Sequence, residues 1–512
     1  MRLFRMNVGQ ARVRLVWAGA AVAVAALVAG CGTEYRPVIT PINPSGPAAQ
    51  PTSYAAVVSA PSPTTPGVAT IIDYAGDTVL ATAPIGPGPM SFTVDQLGAT
   101  GYTINSDGTL TNFPVSSTLQ AKYVYYTTLA TTSVPVNMFT PSATLWVADL
   151  TGNSADVFTG SPQTFLRSIP VAPLPIAIMG PGSGGQRYFS ISQNFADSTG
   201  VACNIAPHSV TQNGEADTLE VASYTVSGRI PVGVCPVYSV ISADKNRFFV
   251  LNRGSDTITV INSANDTLDA CTPFQNQNGQ TVTCHPTLPL STSALAATGI
   301  TPPNCNLATD PTCGGMTKIA GPVQAEFNAV TSQLVVTNYD GGTVSIIDVS
   351  LDEYGNDSPT FGTTYTVPVG QTAGVAPYPA SVTVLNDGTR AYTANQADGT
   401  VAIVNLASHT VEKWLNVVGH PRTVVSTQNS LYGKVYVASP DSDFVTILRT
   451  DQDIVDTTVL VEGHVVDVRV STQTGTQGNT NNVTRRPGYG QPCNLPGMES
   501  ASLTLAACRL QP

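Results

Sequence analysis

From Leu334 to Asp348 the chain reads Leu-Val-Val-Thr-Asn-Tyr-Asp-Gly-Gly-Thr-Val-Ser-Ile-Ile-Asp. Two runs of β-branched and apolar residues flank an Asn-Tyr-Asp-Gly-Gly turn, whose glycines supply the positive φ of a tight hairpin. A hairpin alone is marginally stable in water, so this one must pack against others. The chain supplies them. Aligned on the residue that ends the first strand of each hairpin, the pattern recurs at Asn105, Asp149, Ser192, Asn252, Asn338, Asn395 and Ser439, with a weaker copy ending at Ser59. The steps between these markers are 46, 44, 43, 60, 86, 57 and 44 residues, a base period near 44 with insertions. Units close on proline- or glycine-marked edges such as Ile230-Pro-Val-Gly233 and Val367-Pro-Val-Gly370, where proline removes no ladder hydrogen bond.

Four short strands in such a period match a propeller blade. The fold class expected is therefore all-β, a β-propeller of four-stranded blades. The repeat count gives eight blades, or seven if residues 53–73 belong to a tether. His464-Val-Val-Asp-Val-Arg-Val-Ser471 reads as a last inner strand joining the N-terminal strands in one composite blade, which closes the ring and removes open edges. The propeller spans 53–471. Residues 271–320, rich in Cys, Pro and Thr, read as a long insertion between strands, and 472–512 as a polar linker with a cysteine-bearing tail.

Val335-Val-Thr-Asn338 and Tyr392-Thr-Ala-Asn395, each followed by Thr-Val and an apolar run, resemble the repeat named for the tetrapeptide Tyr-Val-Thr-Asn. That repeat belongs to bacterial surface-layer and periplasmic β-propellers, so the resemblance implies an exported propeller. Some relatives with such repeats are lactonases.

The N-terminus points the same way. Arg2, Arg5, Arg12 and Arg14 precede an apolar run from Leu15 to Val28, the charged and apolar regions of a secretory signal, short for a membrane span. Leu27-Val-Ala-Gly-Cys31 resembles the lipobox of bacterial lipoproteins. The resemblance implies cleavage before Cys31 and lipid attachment to its thiol, leaving residues 1–30 as signal peptide. Several acyl chains anchor stably where one does not. Gly32 is not the aspartate that retains some lipoproteins in the inner membrane, so the expected location is the outer membrane, on its periplasmic side or at the cell surface. The proline-rich stretch 31–52 reads as a tether.

Composition narrows the partners. Only 11% of residues are charged, and the formal net charge is -11. The first 30 residues hold four arginines and no acid, so the remainder carries -15, from -11 minus 4. An acidic surface repels a phosphate backbone, which argues against nucleic acid. The partners expected are the membrane, through the anchor, and an envelope protein or glycan, with the propeller itself a monomer.

Nine cysteines become eight once Cys31 is assigned to lipid. An even remainder in an exported chain reads as disulfides, and proximity suggests Cys203–Cys235, Cys271–Cys284, Cys305–Cys313 and Cys493–Cys508. Metal binding is the competing reading, but the chain contains no Cys-x-x-Cys.

Candidate chemistry is sparse. His208, His285, His409, His420 and His464 show no helical ligand spacing and read as turn residues. No cofactor is expected. Calcium is the alternative at two acidic groups, Asp348/Asp352/Glu353/Asp357 and Asp441/Asp443/Asp451/Asp453, where the acids otherwise cap turn amides. Gly180-Pro-Gly-Ser-Gly-Gly185 lacks the Lys-Ser/Thr and helix of a phosphate loop, and no Gly-x-Ser-x-Gly elbow is present. Arg187, Arg247 and Arg390 share one repeat position, which favours a structural role, and Glu326 is placed with them beside a strand start. No residue is assigned as catalytic. The expected function is a binding or scaffold module for a protein, glycan or envelope polymer. A hydrolase or lyase with an axial pocket is the rival, marked by ionisable residues converging at the channel mouth, and a purely structural envelope protein is the third reading.

Overall fold

The computed structural model describes residues 53–471, apart from 131, 142, 182–184, 195–202, 204–210, 277 and 428–432. Cys31, the tether, the Cys493–Cys508 pair, His208 and the tail lie outside the described residues. Those described form eight antiparallel four-stranded blades in a ring. The innermost strands are His464–Val470 (blade 1), Pro89–Val94, Pro135–Phe139, Pro175–Met179, Pro236–Ile241, Pro322–Asn328, Pro379–Val384 and Thr423–Ser426 (blades 2 to 8). Blade 1 is the composite: His464–Val470 pairs with Tyr54–Ala60, followed outward by Pro66–Asp73 and Val79–Pro87. The ring therefore has eight blades.

Burial runs radially. Pro322–Asn328 and Pro379–Val384 are buried at every position, whereas outer strands such as Thr164–Pro170 are mostly exposed. An inner strand is covered on both faces by neighbouring blades, so both the apolar and the polar positions of an alternating run such as Val323-Gln-Ala-Glu-Phe-Asn328 are buried. Its axial edge remains open, and side chains from the preceding blade close part of it. Asn137 Oδ1 accepts from the Ile178 amide (2.9 Å) and Gln324 Oε1 from Val382 (2.6 Å). Ser381 Oγ accepts from Val424 (2.9 Å) and Thr383 Oγ1 from Ser426 (3.2 Å). A buried amide left unpaired costs about 1–3 kcal/mol, which accounts for polar residues on otherwise apolar strands.

The repeated asparagine has a local job. Asn105, Asn252 and Asn338 each donate through Nδ2 to two hydroxyls of the next strand, Thr109/Thr111, Thr257/Thr259 and Thr343/Ser345. Asn395 donates to Thr400 Oγ1 and to the Val369 carbonyl. The marker staples its hairpin.

A second device joins the blades. Where a blade's second strand begins with Arg or Lys, that cation reaches a carboxylate in the turn between the third and outer strands of the next blade. The pairs are Arg187–Asp266, Arg247–Asp357 (3.0 Å), Arg390–Asp453 and Lys434–Asp77 (2.6 Å). Asp77, Asp266 and Asp453 are held at φ between 53° and 54°. Tyr224 and His409 occupy the same left-handed turn position, and there rings replace the ions. His409 stacks on Tyr365 at 3.8 Å, and Tyr224 lies 5.9 Å from Trp146.

Two expectations change. Residues 271–320 are not wholly an insertion between strands. The outer strand of blade 5 starts as Thr267–Leu268, departs, and resumes as Thr287–Pro289 against the same third strand. Completing the outer edge satisfies three further residues of Thr257–Thr259, which a departing chain would leave open. A short helix, Thr292–Thr298, follows, capped by the Ser291 side chain at 3.0 Å. Glu326 does not stand at a strand start: it is fully buried within the inner strand of blade 6, a position that Arg187 and its equivalents do not share.

Candidate functional site at the axial mouth

The inner strands begin at one rim of the ring, and six of them open on a proline: Pro89, Pro135, Pro175, Pro236, Pro322 and Pro379. In blade 8 the equivalent is Pro421, just ahead of Thr423–Ser426. The following residue in the first six is Met90, Val136, Ile176, Val237, Val323 and Ala380, and blade 1 places Val466 there by matching Gly463-His464 to Gly419-His420. Blade 8 alone breaks this apolar set, with Arg422. Its guanidinium makes one long contact, Nη2 to the Val466 carbonyl at 3.5 Å, and among the described residues no carboxylate lies within ion-pair distance. Burial lowers its pKa to about 10, with Asp467, Tyr339 and Asp441 acting in the opposite direction. The residue is half-buried, a cation with no carboxylate against it among the described residues.

Around it stands a second set, one residue beyond the asparagine marker: Gln193, Arg253, Tyr339 and Gln396, all buried. Arg253 grips Asp340 through two nitrogens, at 2.9 and 2.7 Å, and lies over the Tyr339 ring at 5.3 Å. Its Nη1 is enclosed without a partner among the described residues. Tyr339 Oη donates to Gln396 Oε1 at 3.3 Å, its ring is 5.0 Å from Tyr378, and burial raises its pKa, so it stays a neutral donor.

The rim also carries two histidine–aspartate pairs, both drawing their acid from the hairpin turn of blade 8. His420 Nδ1 lies 2.5 Å from Asp441 Oδ2, and His464 Nδ1 3.0 Å from Asp443 Oδ1. Asp441 also accepts the His420 amide at 2.8 Å. With Nδ1 held by the carboxylate, the remaining Nε2 of His420 has no protein partner among the described residues, the arrangement of an oriented base.

The residues singled out from sequence mostly serve elsewhere. Cys203–Cys235, Cys271–Cys284 and Cys305–Cys313 are disulfides. His285 is bound into a buried group: its Nδ1 is 2.8 Å from Asp357 Oδ2, while Arg247 reaches Asp357 and, at 3.3 Å, Asp269. Asp352 accepts from the Tyr354 and Asn356 amides, and Asp451 pairs with Arg449. Among the described residues no three His, Cys, Asp or Glu side chains are grouped to hold a metal. Sequence reasoning missed Arg253, Tyr339, Asp340 and Arg422. For Arg422 the usable signal was the residue after each edge proline, which is Met90, Val136, Ile176, Val237, Val323 or Ala380 in the other proline-led blades.

No protein-family model matches the chain, and no curated protein matches it in sequence. Among solved structures the chain is similar to AztD of Citrobacter koseri, with a TM-score of 0.54 at 12% identity, covering 83% of this chain and 99% of that one. It is similar to the dihydro-heme d1 dehydrogenase NirN with a TM-score of 0.52 at 12% identity, covering 86% and 79%. The periplasmic gluconolactonase PpgL of Pseudomonas aeruginosa gives 0.46 at 14%, covering 82% and 99%. At such identity the likeness to the first two shows the β-propeller fold alone.

Proposed function

We propose that this chain is a lipid-anchored propeller of the bacterial envelope that binds a small anionic ligand at its axial mouth. The observation that carries the ligand class is Arg422, a guanidinium with no carboxylate partner among the described residues, where seven blades place an apolar side chain. A carboxylate or phosphate there would supply the missing counter-charge. Screening by thermal shift and calorimetry against phosphate, citrate and sugar acids tests this. Arg422→Met is expected to weaken the bound anion roughly 30-fold or more, the scale of removing one partner of an enclosed charge pair, while thermal stability holds or rises because an uncompensated cation is gone. Equal binding by both proteins overturns the reading.

The His420–Asp441 pair favours a second reading, hydrolysis of a ring ester held by Arg422, with His420 Nε2 as the base. In the same screen, turnover of lactones by the unaltered protein selects it; unchanged lactones reject it.

The anchor rests on the lipobox-like Val28-Ala-Gly-Cys31 and the arginine-led apolar run before it. Metabolic labelling with an alkyne fatty acid in a bacterial host should mark the protein and be lost in Cys31→Ser. Absence of label from the unaltered chain rejects lipidation.

A further inference from the structure

The seam between blades 2 and 3 breaks the bolt pattern by omission. At four seams a long cation at the head of one blade's second strand meets a carboxylate in the next blade's third-to-outer turn. Here the first position is Thr100, at the head of Thr100–Asn105, and the turn after Ser154–Thr159 offers Ser161. Both are short, uncharged hydroxyls, whereas the groove at the bolted seam of blades 4 and 5 is lined by Arg187, Lys245 and Asp266. A groove of about 290 Å³ occupies the seam, lined by Thr100, Asn112, Phe113, Thr118, Tyr123, Tyr125 and Ser161 beside Pro114. The segment 115–124, between the third and outer strands of blade 2, is longer than the four-residue turn of blade 3 and brings Thr118 and Tyr123 over the opening.

The lining has a single chemical character. None of it carries formal charge. Phe113 is a buried floor stacked on Phe92 at 5.9 Å, while Tyr123 is 39% exposed and Tyr126, outside the groove on the same outer strand as Tyr125, is 51% exposed. Asn112, almost wholly buried, spends Nδ2 on Ser161 Oγ at 3.0 Å, and its Oδ1 has no protein partner among the described residues. The Tyr125 hydroxyl also bonds to no other described residue. Flat apolar faces beside neutral donors and acceptors suit a ligand that is apolar on its ring face and hydroxylated at its edge. The volume stands at the small end of ligand pockets, about 300–1,000 Å³, enough for one or two rings. We propose that this groove binds a neutral saccharide unit, separately from the anion site at the mouth.

The test uses the full chain in a zwitterionic detergent that carries no sugar, with maltohexaose, cellohexaose and chitohexaose as probes. Saturation-transfer NMR and calorimetry should detect at least one of them in the millimolar range, on the order of 1 mM for a one-ring contact. Tyr125→Ala should weaken that binding tenfold or more. The decisive variant restores the bolt, Thr100→Arg with Ser161→Asp: it should abolish saccharide binding while its Tm equals or exceeds that of the parent, so loss cannot be assigned to misfolding. Arg422→Met should bind the sugar normally, which separates this site from the mouth. Absence of transfer to all three probes, or unchanged binding in the bolted variant, overturns the proposal.

Discussion

Replacing Arg247 by alanine should cost about 3–5 kcal/mol at neutral pH, the scale of stranding buried carboxylates without their cation. Arg247 is 4% exposed, Asp269 3% and Asp357 fully enclosed, and the guanidinium serves both acids as well as the Gly355 carbonyl at 3.2 Å. The loss reaches three parts of the molecule at once: the second strand of blade 5, the excursion braced by Cys271–Cys284, and the loop before the outer strand of blade 6. It should shrink on acidification. Burial, then the Asp357 carboxylate, raises the Asp269 pKa from 3.8 to about 6. A carboxyl with a raised folded value contributes stability fully below 3.8 and loses it as the pH climbs through 6. Near pH 5 Asp269 is largely protonated, so one of the two stranded charges is gone. Asp217, raised to about 6 chiefly by burial, adds to the same trend in the parent protein. Urea unfolding at pH 7.5 and pH 5 measures both effects. A loss under 1 kcal/mol, or one equal at the two pH values, would show that the buried ions do not hold this seam.

Trp146→Ala should cost a similar amount, about 3–5 kcal/mol, for a different reason. Trp146 is fully buried at the seam of blades 3 and 4, edge-on to Tyr188 at 5.1 Å and tilted over Tyr224, with Nε1 donating to Thr144 Oγ1 at 3.0 Å. Here rings do the work that ions do between blades 5 and 6. The penalty is one of lost apolar contact and a cavity, so it should be indifferent to salt and to pH between 5 and 7.5. Trp146→Phe should recover much of it. Calorimetric Tm at low and high salt separates the two seam types; a salt-dependent loss for Trp146→Ala would contradict the assignment.

The blade pattern was legible because its causes are local. Hairpin turns, β-branched runs and the asparagine marker lie within a few residues of one another, and the staple from Asn338 to Thr343 and Ser345 spans only five and seven positions. Ring closure was readable from one unpaired strand at each end. Grouping Arg187, Arg247 and Arg390 by repeat position showed that they act alike. Their partners were beyond reach, because each acid sits in the following blade, 79, 110 and 63 residues downstream. Glu326 lies outside the reach of such a pattern, because a carboxylate fully buried within an inner strand departs from the usual exposure of charged residues. The mouth was hidden by the same feature that revealed the fold. Repeats invite attention to what recurs, whereas Arg422 matters because every equivalent position is apolar.

The composite blade has a mechanical consequence. The Tyr54 amide donates to Ser471 Oγ at 2.7 Å and the Ser471 amide to the Tyr54 carbonyl at 2.8 Å, so the first and last residues of the ring lie side by side. Tyr54–Ala60 runs antiparallel to both Pro66–Asp73 and His464–Val470. A load entering at residue 53 along the strand axis would therefore act in shear across two ladders, straining many perpendicular hydrogen bonds together rather than unzipping them one at a time. The place where the ring is covalently open is also where it is built to withstand a pull.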